Sequence, residues 1–175
     1  MKLKFLKLYH KNTKGFTLIE VMVALAITGV IGIGASVSSL QLLYQASQDT
    51  NYTSAGRSAA NAIHWISRDA LMAQAITGCD DFPGSAALSF SWEGWDNDVY
   101  SADYTVVDGT LWRAYSDGVS EYNTLIAEHV SLDEDLTFCT SDGGIITLSI
   151  TCTAGEGGRT VNITRTRAIT NRPGL

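Results

Sequence analysis

The chain divides by the period of its apolar positions. A nearly unbroken apolar run covers 16–35, and no charged residue occurs between Val21 and Gln48. A bilayer core takes about 20 such residues as a helix, so this stretch can span one. The next segment, 36–53, is polar and rich in Ser and Gln but holds no helix breaker, and the first proline is Pro83. From there Ala59, Ile63, Ile66, Ala70 and Ala73 recur every four and three residues, the stripe of a helix facing a core. Arg57, Asn61, His64, Ser67 and Gln74 fall largely off it. Gly78 after Thr77 predicts the helix stop, so a single helix over 16–77 would be about 90 Å long.

After Gly78 the period changes to two. Ala86, Leu88, Phe90 and Trp92 alternate with small or polar residues, as do Tyr100, Ala102, Tyr104 and Val106, and then Ile146, Leu148, Ile150 and Cys152. These are half-buried strands. Asp108-Gly109 ahead of Thr110-Leu111-Trp112 is a hairpin signal. A second hairpin is expected from 136–140 and 145–152 around Ser141-Asp142-Gly143-Gly144, and Gly155-Glu156-Gly157-Gly158 separates the last of these from 160–164. The tail 170–175 reads as frayed. The fold class is α+β, a long N-terminal helix packed on an antiparallel sheet. At 175 residues the chain suits one domain and an anchor.

Charge sharpens this division. All five lysines lie before Gly15, and all eighteen acids lie after it with seven arginines, so residues 16–175 carry −11. The positive-inside rule puts the leader in the cytoplasm and everything after the span outside. A domain this acidic, without a basic cluster, argues against a nucleic-acid partner. Cys79, Cys139 and Cys152 all fall in the outward part, where one bridge can form and one thiol is left over. Whether Cys139 and Cys152 share a face of the expected hairpin depends on register, and the pair stays open.

Glu20 is the anomaly of the span, because a carboxylate in hydrocarbon costs about 2.5 kcal/mol or more. An amine would offset that cost. If the chain were cut after Gly15, Phe16 would carry one, a helical turn from Glu20, on the same chain or a neighbour. The stretch Lys14-Gly15-Phe16-Thr17-Leu18-Ile19-Glu20-Val21 resembles the processing site of type IV prepilins and type II secretion pseudopilins. The resemblance implies cleavage by a prepilin peptidase between Gly15 and Phe16, N-methylation of Phe16, and pairing of Glu20 with a neighbour's terminus during assembly. It also implies the pilin architecture: a cytoplasmic leader over 1–15 that is removed, a transmembrane and assembly helix over 16–50, and an extracytoplasmic globular domain over 51–175. Past the span, His64-Trp65-Ile66-Ser67-Arg68-Asp69-Ala70, the segment 104–113 and Ile126-Ala127-Glu128-His129-Val130 are similar to J-type minor pseudopilins.

Enzyme readings find little support. His64 and His129 are the histidines outside the leader, and no nucleophile motif accompanies either. The segment 153–160 lacks the lysine and spacer of a phosphate loop, and Gly29, Gly32 and Gly34 suit close helix packing better than a dinucleotide fingerprint. Asp96, Asp98, Asp133 and Asp135 are candidate calcium ligands without a complete loop pattern, and solvated turns are the default. No other cofactor is expected. The expected function is a non-enzymatic minor pilin or pseudopilin in the cytoplasmic membrane, with prepilin peptidase and other pilin subunits as partners. The rival is an uncleaved, signal-anchored binding or hydrolytic ectodomain that never assembles.

Overall fold

A computed structural model describes residues 15–170; the lysine-rich leader before Gly15 and the tail after Thr170 lie outside the described residues. The helix α1 runs Leu18–Met72, and eight antiparallel strands follow: β1 (Ala75–Thr77), β2 (Leu88–Glu93), β3 (Val99–Val107), β4 (Thr110–Ser116), β5 (Glu121–Ala127), β6 (Phe138–Asp142), β7 (Ile145–Ala154) and β8 (Val161–Thr170). The chain separates into two units, one ending at Tyr44 and the other beginning at Gln45.

In the first unit every described residue is exposed. The helix starts on a capping box: Thr17 accepts the Glu20 amide through Oγ1 at 3.3 Å, and Glu20 Oε2 accepts the Thr17 amide and hydroxyl, each at 2.9 Å. Hydroxyls farther along are satisfied by the helix itself, Thr28 donating to the Ala24 carbonyl and Ser36 to that of Gly32. A lipid-embedded helix needs that, because hydrocarbon offers no partner.

In the second unit α1 buries Ala59, Ile63, Ile66 and Ala70 against the strands, as the stripe predicts, and Ala55 and Ala62 with them, while Ala73 is buried just past the helix end. Ser67 and Asp69 are buried beside them, although Ser67 was expected off the stripe. Asn61 Nδ2 donates to the Ile126 carbonyl at 2.6 Å and ties the helix to β5. The helix ends five residues before the expected stop. The Gln74 amide turns to the Ser91 carbonyl, 2.9 Å away, and Ala75–Thr77 pairs with β2 at the register Ile76↔Phe90. β-branched Ile76 and Thr77 fit a sheet edge better than a last helical turn. Gly78, at φ +76, serves the exit from β1, where a Cβ would meet the Ala87 carbonyl.

Strands β1 to β5 form a meander in sequence order, and β6-β7-β8 form a second sheet. Asp108-Gly109 closes the two-residue β3–β4 turn with both φ values positive, the geometry that this dipeptide favours. Gly143-Gly144 does the same between β6 and β7. Residues 129–131 join the sheets: Val130 bridges Cys152, the Val130 amide reaches the Gly109 carbonyl at 2.8 Å, and the Thr153 amide reaches the His129 carbonyl at 2.7 Å. The core between helix and sheets holds Phe90, Tyr104, Leu111, Leu148 and Ile150.

A disulfide joins Cys79, just after β1, to Cys139 on β6 across 60 residues. Cys139 lies opposite Leu148, so it shares a face with Cys152 but is four residues of β7 away from it. Cys152 stays a buried free thiol, and burial pushes its pKa up to about 12.

Candidate processing and assembly site

Gly15 and Phe16 precede the first turn of α1 in backbone with no helical or strand pairing. No other part of the described chain comes within 4 Å of a Cβ placed on Gly15, and Phe16 is 86% exposed. A protease must surround the backbone it cuts, and a glycine on the acyl side leaves the carbonyl unshielded. Glu20 faces back along the helix toward this bond through its contacts with Thr17. Both of those contacts end on Oε2. The capping box was legible as Thr17-x-x-Glu20 but was not among the roles expected of Glu20. The carboxylate therefore has an intrachain use as well as any use toward a neighbour.

Apolar side chains surround Glu20 in sequence and are exposed, among them Ile19, Val23 and Ile27. This helix is long and apolar enough to cross a membrane, and none of its most apolar stretch is buried within the chain. The arrangement is that of a single-pass anchor whose lone carboxylate lies one turn inside its start.

The globular unit holds a second charged site. Asp69, fully buried on the last turns of α1, accepts the Tyr104 hydroxyl at 2.5 Å and Arg113 Nε at 2.6 Å on the same oxygen. Arg68 Nε stands 3.6 Å from its other oxygen. The guanidinium of Arg113 lies 5.2 Å from the Trp65 ring and 4.7 Å from that of Tyr115, and Arg68 stacks over Trp65 at 4.1 Å. Burial, then the charge and hydrogen bond of Asp69, raises the Tyr104 hydroxyl well above its ordinary range. Burial alone would lower the Arg113 pKa, but its hydrogen bond to Asp69 and that residue's charge hold it above the usual value. This cluster pins the end of the helix to β3 and β4. Breaking one partner of such a buried pair costs about 3–5 kcal/mol.

The four candidate calcium ligands are turn residues. Asp96 Oδ2 accepts the Tyr100 hydroxyl at 3.1 Å, which raises the Tyr100 pKa, and Asp96 Oδ1 lies 3.4 Å from the Asp98 amide. Asp133 Oδ1 accepts the Asp135 amide at 3.0 Å. Among the described residues no three His, Cys, Asp or Glu side chains converge as a metal site. His64 sits on the exposed side of α1, edge-on to Trp65 at 6.5 Å, and His129 occupies a positive-φ position in the link between the sheets.

The family model for the prokaryotic N-terminal methylation motif matches residues 10–36, which include Gly15, Phe16, Glu20 and the whole apolar run 16–35. No curated protein and no solved structure matches the chain. The motif marks substrates of prepilin peptidase, and here it opens a helix whose later turns pack on antiparallel sheets; the chain carries the N-terminal methylation motif of type IV prepilins and pseudopilins on a pilin-like α+β fold.

Proposed function

We propose that the protein is a minor pilin or pseudopilin, a structural subunit rather than an enzyme, assembled through α1 into a type II secretion pseudopilus or a type IV pilus. Prepilin peptidase cuts it between Gly15 and Phe16 and methylates the new amine. The leader lies in the cytoplasm and the globular unit outside the membrane. One observation carries this reading: an exposed Gly15-Phe16 bond one turn ahead of Glu20, at the head of a helix that buries nothing within its own chain until Ala55. In a simple anchor the capping box is the only use of that side chain, and a neutral Gln would fill it without the cost of a charge in lipid. A subunit needs the charge, because a neighbour's terminal amine must be neutralised inside the membrane. The J-type subtype is the finer proposal. Two of the segments that suggest it, around Asp69 and over 104–113, meet in the Asp69–Tyr104–Arg113 cluster.

The capping box gives the test its control. Glu20→Gln keeps an acceptor for the Thr17 amide and removes the charge, whereas Glu20→Leu removes both. In a subunit, membrane insertion and cleavage survive in both variants, read by the mass of the mature N-terminus. Entry into crosslinked filaments falls at least tenfold in both, since an unpaired buried amine costs about 3 kcal/mol. In an anchor, both substitutions are neutral or improve insertion. Assembly at the level of the unsubstituted chain in both variants would sink the proposed role of Glu20.

A further inference from the structure

Four rings form a row on the helix side of the five-stranded sheet. Trp92 stacks on Tyr100 at 6.1 Å and 8°, while Tyr115 lies 6.3 Å from Trp92 and 6.4 Å from Tyr122. At Tyr115 the chain supplies its own cation, Arg113, with Asp69 behind it. Beyond Trp92 the same chemistry is laid out again without a cation. There Trp92, Trp95, Tyr100, Glu93 and Asp96 line an open cavity of about 450 Å³ against the end of α1. Trp95 is fully exposed, at 102%. Three rings and two carboxylates, with no basic side chain in the lining, fit a guanidinium: rings attract it through their faces and carboxylates through charge.

The chain presents such groups at the other end of its strand order. β8 is an outer strand, and Arg165 and Arg167 stand opposite Ile150 and Leu148, on the face that holds the core. Both are nevertheless exposed. Among the described residues neither has an ion-pair partner. They alternate along one face, about 6.6 Å apart at the backbone. Inward-facing charges on an edge strand disfavour pairing with another strand, so a contact here works through side chains.

We propose that Arg165 and Arg167 of one copy dock into the Trp92–Trp95–Tyr100 cavity of a second copy. The two surfaces belong to one compact unit and differ, so the contact is heterologous and can repeat from copy to copy. Charge selects this occupant. Residues 16–175 carry seven arginines against eighteen acids, and the contact sets two of the few uncommitted cations against carboxylates that would otherwise repel between copies. It adds a contact between globular domains to the helix-driven assembly proposed above and does not depend on it.

The test is self-association of the full chain in detergent micelles, by sedimentation equilibrium. Arg165→Glu with Arg167→Glu, and separately Glu93→Arg with Asp96→Arg, each weaken association about tenfold. The two changes shift net charge in opposite directions, so a general charge effect would strengthen one of them. Mixing the two variants restores association to within about threefold, by swapped pairing. Trp95→Ala, at a side chain with no packing to lose, weakens it about threefold. Added salt weakens the unsubstituted chain. Any one of three results overturns the proposal: no change in these variants, no recovery on mixing, or association that is lost only with Glu20→Leu. Tryptophan quenching by free arginine methyl ester, with association unchanged, would make the cavity a site for small cations and would overturn it also.

Discussion

In its first unit α1 leaves Val23, Leu25, Ile27, Val30, Ile31 and Ile33 more than half exposed, while in its second unit it buries Ala55, Ala59, Ala62 and Ile66 almost completely. The apolar residues that water would penalise most are the uncovered ones, and the small ones are covered. Large side chains all round a helix suit a lipid surround or neighbouring helices. Alanines on one stripe suit close approach to a sheet. Polar side chains differ in the same sense, since in the first unit Thr28, Ser36 and Ser39 bond back to their own helix whereas in the second Asn51 and Asn61 reach carbonyls of Arg159 and Ile126. One continuous helix therefore carries two burial regimes, and the first is complete only in company.

The largest way to break this contrast is to separate the two regimes. A chain beginning at Asn51 keeps the contact of that residue with Arg159 and the whole buried stripe. It should be soluble without detergent and unfold cooperatively, while the full chain partitions into membranes. Sedimentation and the near-ultraviolet signal of the tryptophans decide it. An insoluble product, or one without that signal, would show that the second unit needs the first.

Covalent closure comes next in size. The Cys79–Cys139 bridge closes a 60-residue separation, worth about 4 kcal/mol on loop-entropy grounds. Cys79→Ser with Cys139→Ser should lower urea stability of the globular unit by about that amount, and Cys152→Ala by about 1 kcal/mol. The thiol of Cys152, buried and raised to about 12, should resist alkylation at pH 8 until urea unfolds the chain. Rapid labelling of native protein would mean that the core opens there.

Much of this was readable from residue order. The apolar run, the alanine stripe, the alternation in β2, β3 and β7 and the Asp108-Gly109 turn all follow from local periods, which survive in a single sequence. The processing segment is local too. What was lost depends on contacts between distant residues. β5 was not recognised because Glu121, Tyr122, Asn123, Thr124 and Leu125 are all exposed, so an edge strand shows no alternation. β1 is three residues paired to β2, too short to outweigh the helical pattern ahead of it. The cysteine pair needed the meeting of Cys79, just after β1, with Cys139 on β6, 60 residues apart in sequence. Asp69 does carry a local signal: three residues after Ile66, it falls on the buried side, where a charge requires a partner. Its partner Arg113 lies between Leu111 and Tyr115 on the inward phase of β4.

That ion pair gives the next effect in size. Asp69→Asn leaves Arg113 buried without its counter-charge, at a cost of about 3 kcal/mol. Arg113→Ala should cost a similar amount. The double variant should lose less than the two added, because each single change strands the other charge. Urea midpoints of the four proteins measure the coupling. Additive losses would mean that the side chains contribute by packing alone. Nothing at these positions should touch cleavage at Gly15-Phe16, which keeps the two regimes separate.

The smallest effect is alkaline. Burial raises the Tyr104 hydroxyl above its ordinary 10.0, reinforced by Asp69, and burial raises Cys152 from 9.0 to about 12. Both groups hold their proton more tightly when folded, so their contribution is fully present below the unfolded values and falls as pH rises through the folded ones. The thiol should act first, from about pH 9, and the phenol from about pH 10, each by at most about 1.4 kcal/mol per pH unit. Tyr104→Phe loses a hydrogen bond to a carboxylate and should cost about 2 kcal/mol at pH 7. It also removes the group that must stay protonated, so its stability should fall less steeply above pH 10. The curves of Tyr104→Phe and the unsubstituted chain should therefore converge with rising pH. Cys152→Ala should flatten the segment between pH 9 and 10 and leave the rest. Urea midpoints from pH 7 to 11 read all three curves, and parallel curves for Tyr104→Phe and the parent would show that the folded domain holds this proton no more tightly than the unfolded chain does.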